Sequence, residues 1–226
     1  MGIDLQPLWL TFKLAFITTL CLLVLGIPVA ALLAKSKSRL KPFAEALIGL
    51  PLVLPPSVLG FYLLLILSPT GWLGSFLQQY FNLRLVFTFP GLVVGSVIYS
   101  LPFMIHPIQG GLQNLPKSLK EASWTMGHSK LVTFFKVQLP NIQSALLTGI
   151  VLTFAHTLGE FGLVLMIGGS IPKVTKVASI AIYNETEALN FSAAHTYSGI
   201  LLVISFTILL LVYLMNRRVG RGRLAI

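Results

Sequence analysis

The chain is poor in charge. Asp, Glu, Lys and Arg make up only 10% of its 226 residues, against about 25% in an ordinary soluble domain, while hydrophobic residues make up 55%. So few charges cannot cover a surface of this size in water, which excludes a soluble globular domain and makes the bilayer the solvent. Cysteine is nearly absent. Cys21 stands alone, so intrachain disulfides and multi-cysteine zinc sites are excluded, and it reads as a small apolar residue inside a helix. No GxxxxGK[ST] occurs, and the dipeptide Gly-Lys never does, so the chain cannot hold ATP in a P-loop. GxSxG and HExxH are missing too, which leaves a membrane enzyme little to stand on. No positive segment precedes the first apolar run, unlike a signal peptide. Gln6 stands where myristoylation needs Ser or Thr.

What is present is cations and long apolar runs. The net charge of +10 invites a nucleic-acid reading, but the cations lie in short clusters between apolar segments rather than on one face with stacking aromatics. No nucleic-acid partner is expected. Five runs approach the roughly 20 apolar residues a membrane helix needs, at about 8–34, 43–68, 86–106, 141–167 and 194–216. Lys13 and Glu45 fall near span ends. The runs are too long and continuous for barrel strands. The expected fold is therefore an all-α integral membrane domain over 1–226, with about five transmembrane helices and a cytoplasmic insert at about 116–140.

Orientation follows from the cations. Lys35, Lys37, Arg39 and Lys41, then Lys117, Lys120, Lys130 and Lys136, then Arg217, Arg218, Arg221 and Arg223 hold 12 of the 16. Five spans put these three segments on one side, which the positive-inside bias makes cytoplasmic. The N-terminus is then outside and the C-terminus inside. Of the outer loops, 68–84 suits either a helix lying in the interface, with Phe76 and Tyr80 on one face, or a plain loop with scattered aromatics. The segment 168–191 is long enough for a small helical or extended lid. Its Asn184-Glu185-Thr186 triplet is a common chance match to a glycosylation signal.

The insert reads KEASWTMGHSKLVTFFKVQLP over 120–140. Ser118-x-x-Glu121 has the form of a capping box, so a helix is expected from about Leu119 to Met126. Gly127 supplies a positive φ to end it. Ser129 can cap a second helix over 130–138, which Pro140 stops. Two short helices meeting at a glycine make a knob, with Trp124, Met126, Phe134 and Phe135 as its apolar face. Such a knob suits docking by another protein, or an amphipathic stretch resting on lipid.

Glu121-Ala122-Ser123, Gly127 three residues on, and Val137-x-Leu139-Pro140 after nine more resemble the EAA loop of binding-protein-dependent ABC importer permeases. Ser123 departs from that pattern's Ala, and Val137 from its Ile. The resemblance implies that Glu121, Ala122, Ser123, Gly127, Leu139 and Pro140 form the coupling element that sits in a cleft of an ATP-hydrolysing subunit. PLVLPPSVLGFYLL at 51–64, SPTGWLG, and TLGEFGLVLMIGGSIP at 157–172 are similar to molybdate/tungstate permeases of that superfamily. Sulfate permeases share the Gly-Glu-Phe-Gly segment but differ around the second span. What this implies is a homodimer in the cytoplasmic (inner) membrane, two ATP-binding subunits inside and a molybdate-binding protein outside. ATP and Mg would be used by the partner ATPase. This chain itself would carry no cofactor and no metal. The alternatives are a sulfate or related oxyanion permease, a membrane anchor for an ATPase without transport, and a secondary transporter, for which intramembrane ionisable groups are too few.

An oxyanion path needs dipoles. Pro51, Pro55 and Pro56 either break the second span, freeing backbone groups that must face protein or a wet cavity, or only kink it for packing. Thr157, Gly159, Glu160 and Gly162 form the other candidate. A carboxylate within a span is a functional candidate, yet an anion path does not favour a negative charge. A structural or gating role for Glu160 is therefore preferred to substrate contact. His156 reads as packed or hydrogen-bonded. Pro55, Pro56, Thr157, Gly159, Glu160 and Gly162 are the expected translocation or gate residues.

Overall fold

A computed structural model describes residues 4–221, with backbone alone at 212 and from 215 on. Arg223 of the cationic tail and the Met1-Gly2 opening lie outside the described residues. Helix α1 (Gln6–Lys35) is followed by α2 (Lys41–Val53), α3 (Pro56–Leu67), α4 (Trp72–Phe81) and α5 (Phe89–Gln113). The insert holds α6 (Lys117–Thr125), α7 (Lys130–Thr133), a π-helical turn (Phe134–Gln138) and α8 (Leu139–Asn141). Then come α9 (Gln143–Leu158), α10 (Gly162–Gly168), α11 (Ala178–Glu187) and α12 (Phe191–Arg221). No strand occurs among the described residues.

Three helices are long and apolar enough to cross a bilayer: α1, α5, and α12 as far as Leu211. Two further spans exist only as bent pairs, which brings the total to five if each pair crosses once. The second expected span is one of them: α2 and α3 meet at 112°. The cause is local. A proline disfavours α backbone in the residue before it, and here Leu54 precedes Pro55 and Pro55 precedes Pro56. Both adopt extended ψ values, 138° and 136°. Pro51 lies inside α2 without ending it. The expected fourth span is also interrupted. Its helix bends by 73° at entry, stops at Leu158 and restarts at Gly162. The third span runs past His106 to Gln113, longer than hydropathy marks.

The core is built on α1, α5 and α9, with α3 and α10 against its outer half. Leu10, Leu14, Leu92, Leu163 and Ile167 form the outer cluster. Leu22, Ala30, Met104, Ile105 and Ile108 form the inner one. Helix α4 is amphipathic, as one reading of the 68–84 loop has it, with Phe76 and Tyr80 rings 4.8 Å apart and an αL Asn82 closing it. The segment 168–191 takes the helical of its two expected forms, and the helix is docked: Ala178, Ile180 and Ala181 of α11 are buried, and Thr11 Oγ1 accepts from Ala178 N at 2.8 Å.

Candidate functional site

In the insert, Pro116 is the N-cap of α6, and no side chain caps it. The expected capping box does not form. Pro116 fixes an extended residue just before the helix, Leu119 N closes the first turn onto Pro116 O at 3.2 Å, and Ser118 is already helical. Glu121 and Ala122 are exposed. Ser123 is buried, and its hydroxyl lies 2.9 Å from Thr133 Oγ1 and 3.4 Å from His128 Nδ1. That bond staples α6 to α7, and its partners lie too far along the chain for a local pattern to announce them. Gly127 has φ +82°, the left-handed turn expected of it. Ser129 caps α7 by accepting from Val132 N at 3.3 Å.

Pro140 does not stop the second helix, which continues to Asn141. A helical proline lacks its N–H and crowds the carbonyl four residues earlier. Here the preceding turn widens, with Leu139 N bonded to Phe134 O. The change of direction falls at Ile142, with φ −109° and ψ 20°. Trp124, Met126, Leu131 and Phe135 are exposed. Phe134 is the exception to the expected apolar face: it packs on the inner cluster, and Lys35 Nζ sits 5.4 Å from its ring centroid. Leu139 is half-buried and Pro140 exposed.

The second candidate set comes together across the fold. A Cβ on Gly162 would lie 3.1 Å from Pro56 Cβ and 3.4 Å from Ser57 N, so the proline bend abuts the α9–α10 break. Gly60 lets α3 approach α10 equally closely: a Cβ there would be 2.8 Å from Met166 Cβ. Thr157 lies buried in the last turn of α9, and Gly159 and Glu160 lie in the link. Ser96 Oγ donates to Glu160 Oε2 at 2.7 Å, and Ser179 Oγ donates to Glu160 O at 2.6 Å. His156 stacks on Phe103 with centroids 4.1 Å apart and meets Ser100 Oγ through Nδ1 at 2.9 Å. Pro56, Ser57, Tyr99, His156, Glu160 and Gly162 are among the residues lining a cavity of about 630 Å³. Ser96, Ser100 and Tyr99 were not legible as site residues, since single hydroxyls in an apolar span carry no pattern.

A multi-pass helical domain with proline-broken spans and a projecting two-helix knob is the architecture of a transport permease. Residues 23–221 match the family model described as binding-protein-dependent transport system inner membrane component, and the chain belongs to that family. Among its relatives, the molybdenum transport system permease protein ModB of Azotobacter vinelandii is 44% identical over 95% of each chain. A probable sulfate transport system permease protein cysT of Chlorella vulgaris is 36% identical over 90% of this chain and 76% of the relative. Solved structures share the fold. The MetNI methionine ABC transporter has a TM-score of 0.75 at 18% identity, over 97% of this chain and 99% of that one. A bacterial alginate ABC importer has a TM-score of 0.78 at 17% identity, over 95% and 79%.

Proposed function

We propose that the chain is the permease subunit of an ATP-driven importer that moves molybdate, and with it tungstate, across the cytoplasmic membrane. The observation that carries the cargo is the 44% identity to a molybdenum permease along 95% of both chains, against 36% and less to the sulfate relatives. Two copies associate, two ATP-binding subunits dock on the knobs inside, and an extracytoplasmic binding protein delivers the oxyanion outside. ATP and Mg belong to the docked subunits. Glu121, Ala122, Gly127, Leu139 and Pro140 form the docking element, and Ser123 holds its two helices together. When the ATP-binding subunits close, the knob moves as a unit. Phe134 and the wide turn beneath it pass that movement to α1 and α9. The α2–α3 bend and the α9–α10 break, with Pro55, Pro56, Thr157, Gly159, Glu160 and Gly162, form the part of the path that opens alternately to each side.

The test is uptake into proteoliposomes containing this chain with its cognate ATP-binding subunit and binding protein. ATP-dependent molybdate uptake that tungstate blocks and sulfate does not is the expected result. ATP-dependent sulfate uptake instead assigns the sulfate-type cargo with the same mechanics. No ATP-dependent uptake of either leaves a membrane anchor and removes the transport reading.

A further inference from the structure

Helix α4 folds back hard on the end of α3. A Cβ on Gly74 would overlap Ser68 O and Leu67 O, and Gly71 N ties the turn between the helices by donating to Ser68 O at 2.9 Å. Residues 84–87 close over this junction. Thr88 Oγ1 donates to Leu85 O at 2.7 Å, and Phe87, at φ +62°, donates its N–H to Ile167 O at 2.9 Å. Between these walls lies a cavity of about 220 Å³, which shares no lining residue with the one at the α9–α10 break.

The polar lining of this cavity is unspent. Arg84 and Gln78 both line it, the first exposed and the second half-buried. Neither side chain has a hydrogen bond or ion pair among the described residues. Ser68 lines it too, but its hydroxyl donates to Leu65 O at 3.1 Å. Among the described residues no Asp or Glu lines it. What remains is one amide and one guanidinium, whose fork of donors fits two oxygens of a phosphate. That set balances a single negative charge. A dianion would keep its second charge uncompensated against apolar walls that include Leu64, Leu67, Val86 and Phe87.

The cavity sits where the second span ends and the third begins: α3 stops at Leu67 and α5 starts at Phe89. Beside it, α4 packs Leu73 and Leu77 on the outer cluster. Its other side leaves Trp72, Phe76 and Tyr80 exposed at four-residue spacing, and such rings belong at headgroup level. On α3, Phe61 and Leu65 are exposed, and with Leu64 they form an i, i+3, i+4 stripe that ends at the cavity. We propose that the cavity binds an anionic phospholipid, its phosphodiester on Arg84 and Gln78 and an acyl chain along that stripe. The site does not depend on which cargo the permease moves.

The experiment uses the permease assembled with its ATP-binding subunit and stripped of lipid in detergent. Native mass spectrometry counts bound lipid during titration with phosphatidylglycerol. Because the Arg84 side chain is exposed and unbonded, Arg84→Gln does not disturb the fold. It is expected to raise the dissociation constant of one lipid per permease copy by about ten- to a hundredfold, as for a lost charged hydrogen bond. Gln78→Leu should raise it about fivefold, and Arg84→Lys, which keeps the charge without the fork, should fall between the two. Lys13→Gln removes a cation at the same end of the spans but outside the cavity, and should leave it within about twofold. Diacylglycerol with the same chains should not bind there. Equal phosphatidylglycerol binding by the parent and Arg84→Gln overturns the site, as does equal binding of diacylglycerol. Molybdate or inorganic phosphate that displaces the lipid at equal concentration overturns the lipid and leaves a site for the free anion. Weaker docking of the binding protein in Arg84→Gln, with lipid binding unchanged, gives Arg84 to that partner and overturns the proposal as well.

Discussion

Ser123 and Thr133 are both almost fully buried, and each hydroxyl's closest partner is the other. Ser123→Ala leaves the buried Thr133 hydroxyl without that partner and should cost about 1–3 kcal/mol, whereas Thr133→Val leaves Ser123 its longer 3.4 Å contact to His128 Nδ1 and should cost toward the low end of that range. The double substitution should cost less than the sum, because neither polar group is then left behind. Thermal unfolding of the purified complex checks this, and additive losses would show that the staple is not a coupled pair. Gly127 presents a different balance. A Cβ there meets nothing within 4 Å, so Gly127→Ala carries only the strain of a left-handed alanine, about 1–2 kcal/mol, concentrated in the turn. The expected outcome is lower molybdate uptake per ATP hydrolysed with membrane insertion intact. Glu121 is exposed, so Glu121→Gln should change stability by no more than about 0.5 kcal/mol while reducing coupling. Normal uptake in both the Gly127 and Glu121 variants would remove the knob from the mechanism.

At the scale of elements, the apolar runs locate the spans but not their directions. Hydropathy sums side chains and is blind to where the backbone turns, so the 112° bend between α2 and α3 could be read only through Pro55 and Pro56, which equally suit a mild kink. The capping box misled for a related reason: Ser118 and Glu121 have the right spacing, but Pro116 sets the helix start. The Gly127 turn and the Ser129 cap were legible because a positive φ and an N-cap are decided within a few residues. The partners of Glu160 were not, since Ser96 lies 64 residues away. These differences predict what the prolines do. Pro55→Ala with Pro56→Ala removes the restriction on Leu54 and Pro55 and lets α2 continue toward α3, which should withdraw Pro56 and Ser57 from Gly162. With Ala155, which lines the cavity beside Pro56 and Gly162, replaced as Ala155→Cys in a Cys21→Ala background, faster maleimide alkylation at position 155 and lower uptake are expected. Pro51→Ala, inside a helix that already accommodates proline, should leave that alkylation rate within about twofold, a difference under 0.5 kcal/mol. Equal rates in all three proteins would mean that the bend is held by packing alone.

For the whole molecule, the arrangement of helices fixes which segments share a side, and charge then chooses the side. Lys35 sits 5.4 Å from the Phe134 ring at the knob, so the end of α1 and the insert face the same compartment. Lys13 is 4.7 Å from the Phe89 ring, joining the start of α1 to the start of α5 at the other. The first compartment holds Lys37, Arg39, Lys117, Lys120 and Lys130 as well, and the bias of short cation-rich loops predicts that it is the cytoplasm. The same prediction puts helix α4, with Trp72, Phe76, Tyr80 and Phe81 exposed, at the outer surface, where amphipathic aromatic rings suit the lipid headgroups. Single thiols placed in the Cys21→Ala background test this directly. A membrane-impermeant maleimide applied to intact cells should label Gln79→Cys on α4 and leave Lys130→Cys unlabelled until the membrane is opened. The reverse pattern would invert the topology and put the knob beyond the reach of any cytoplasmic ATP-binding subunit.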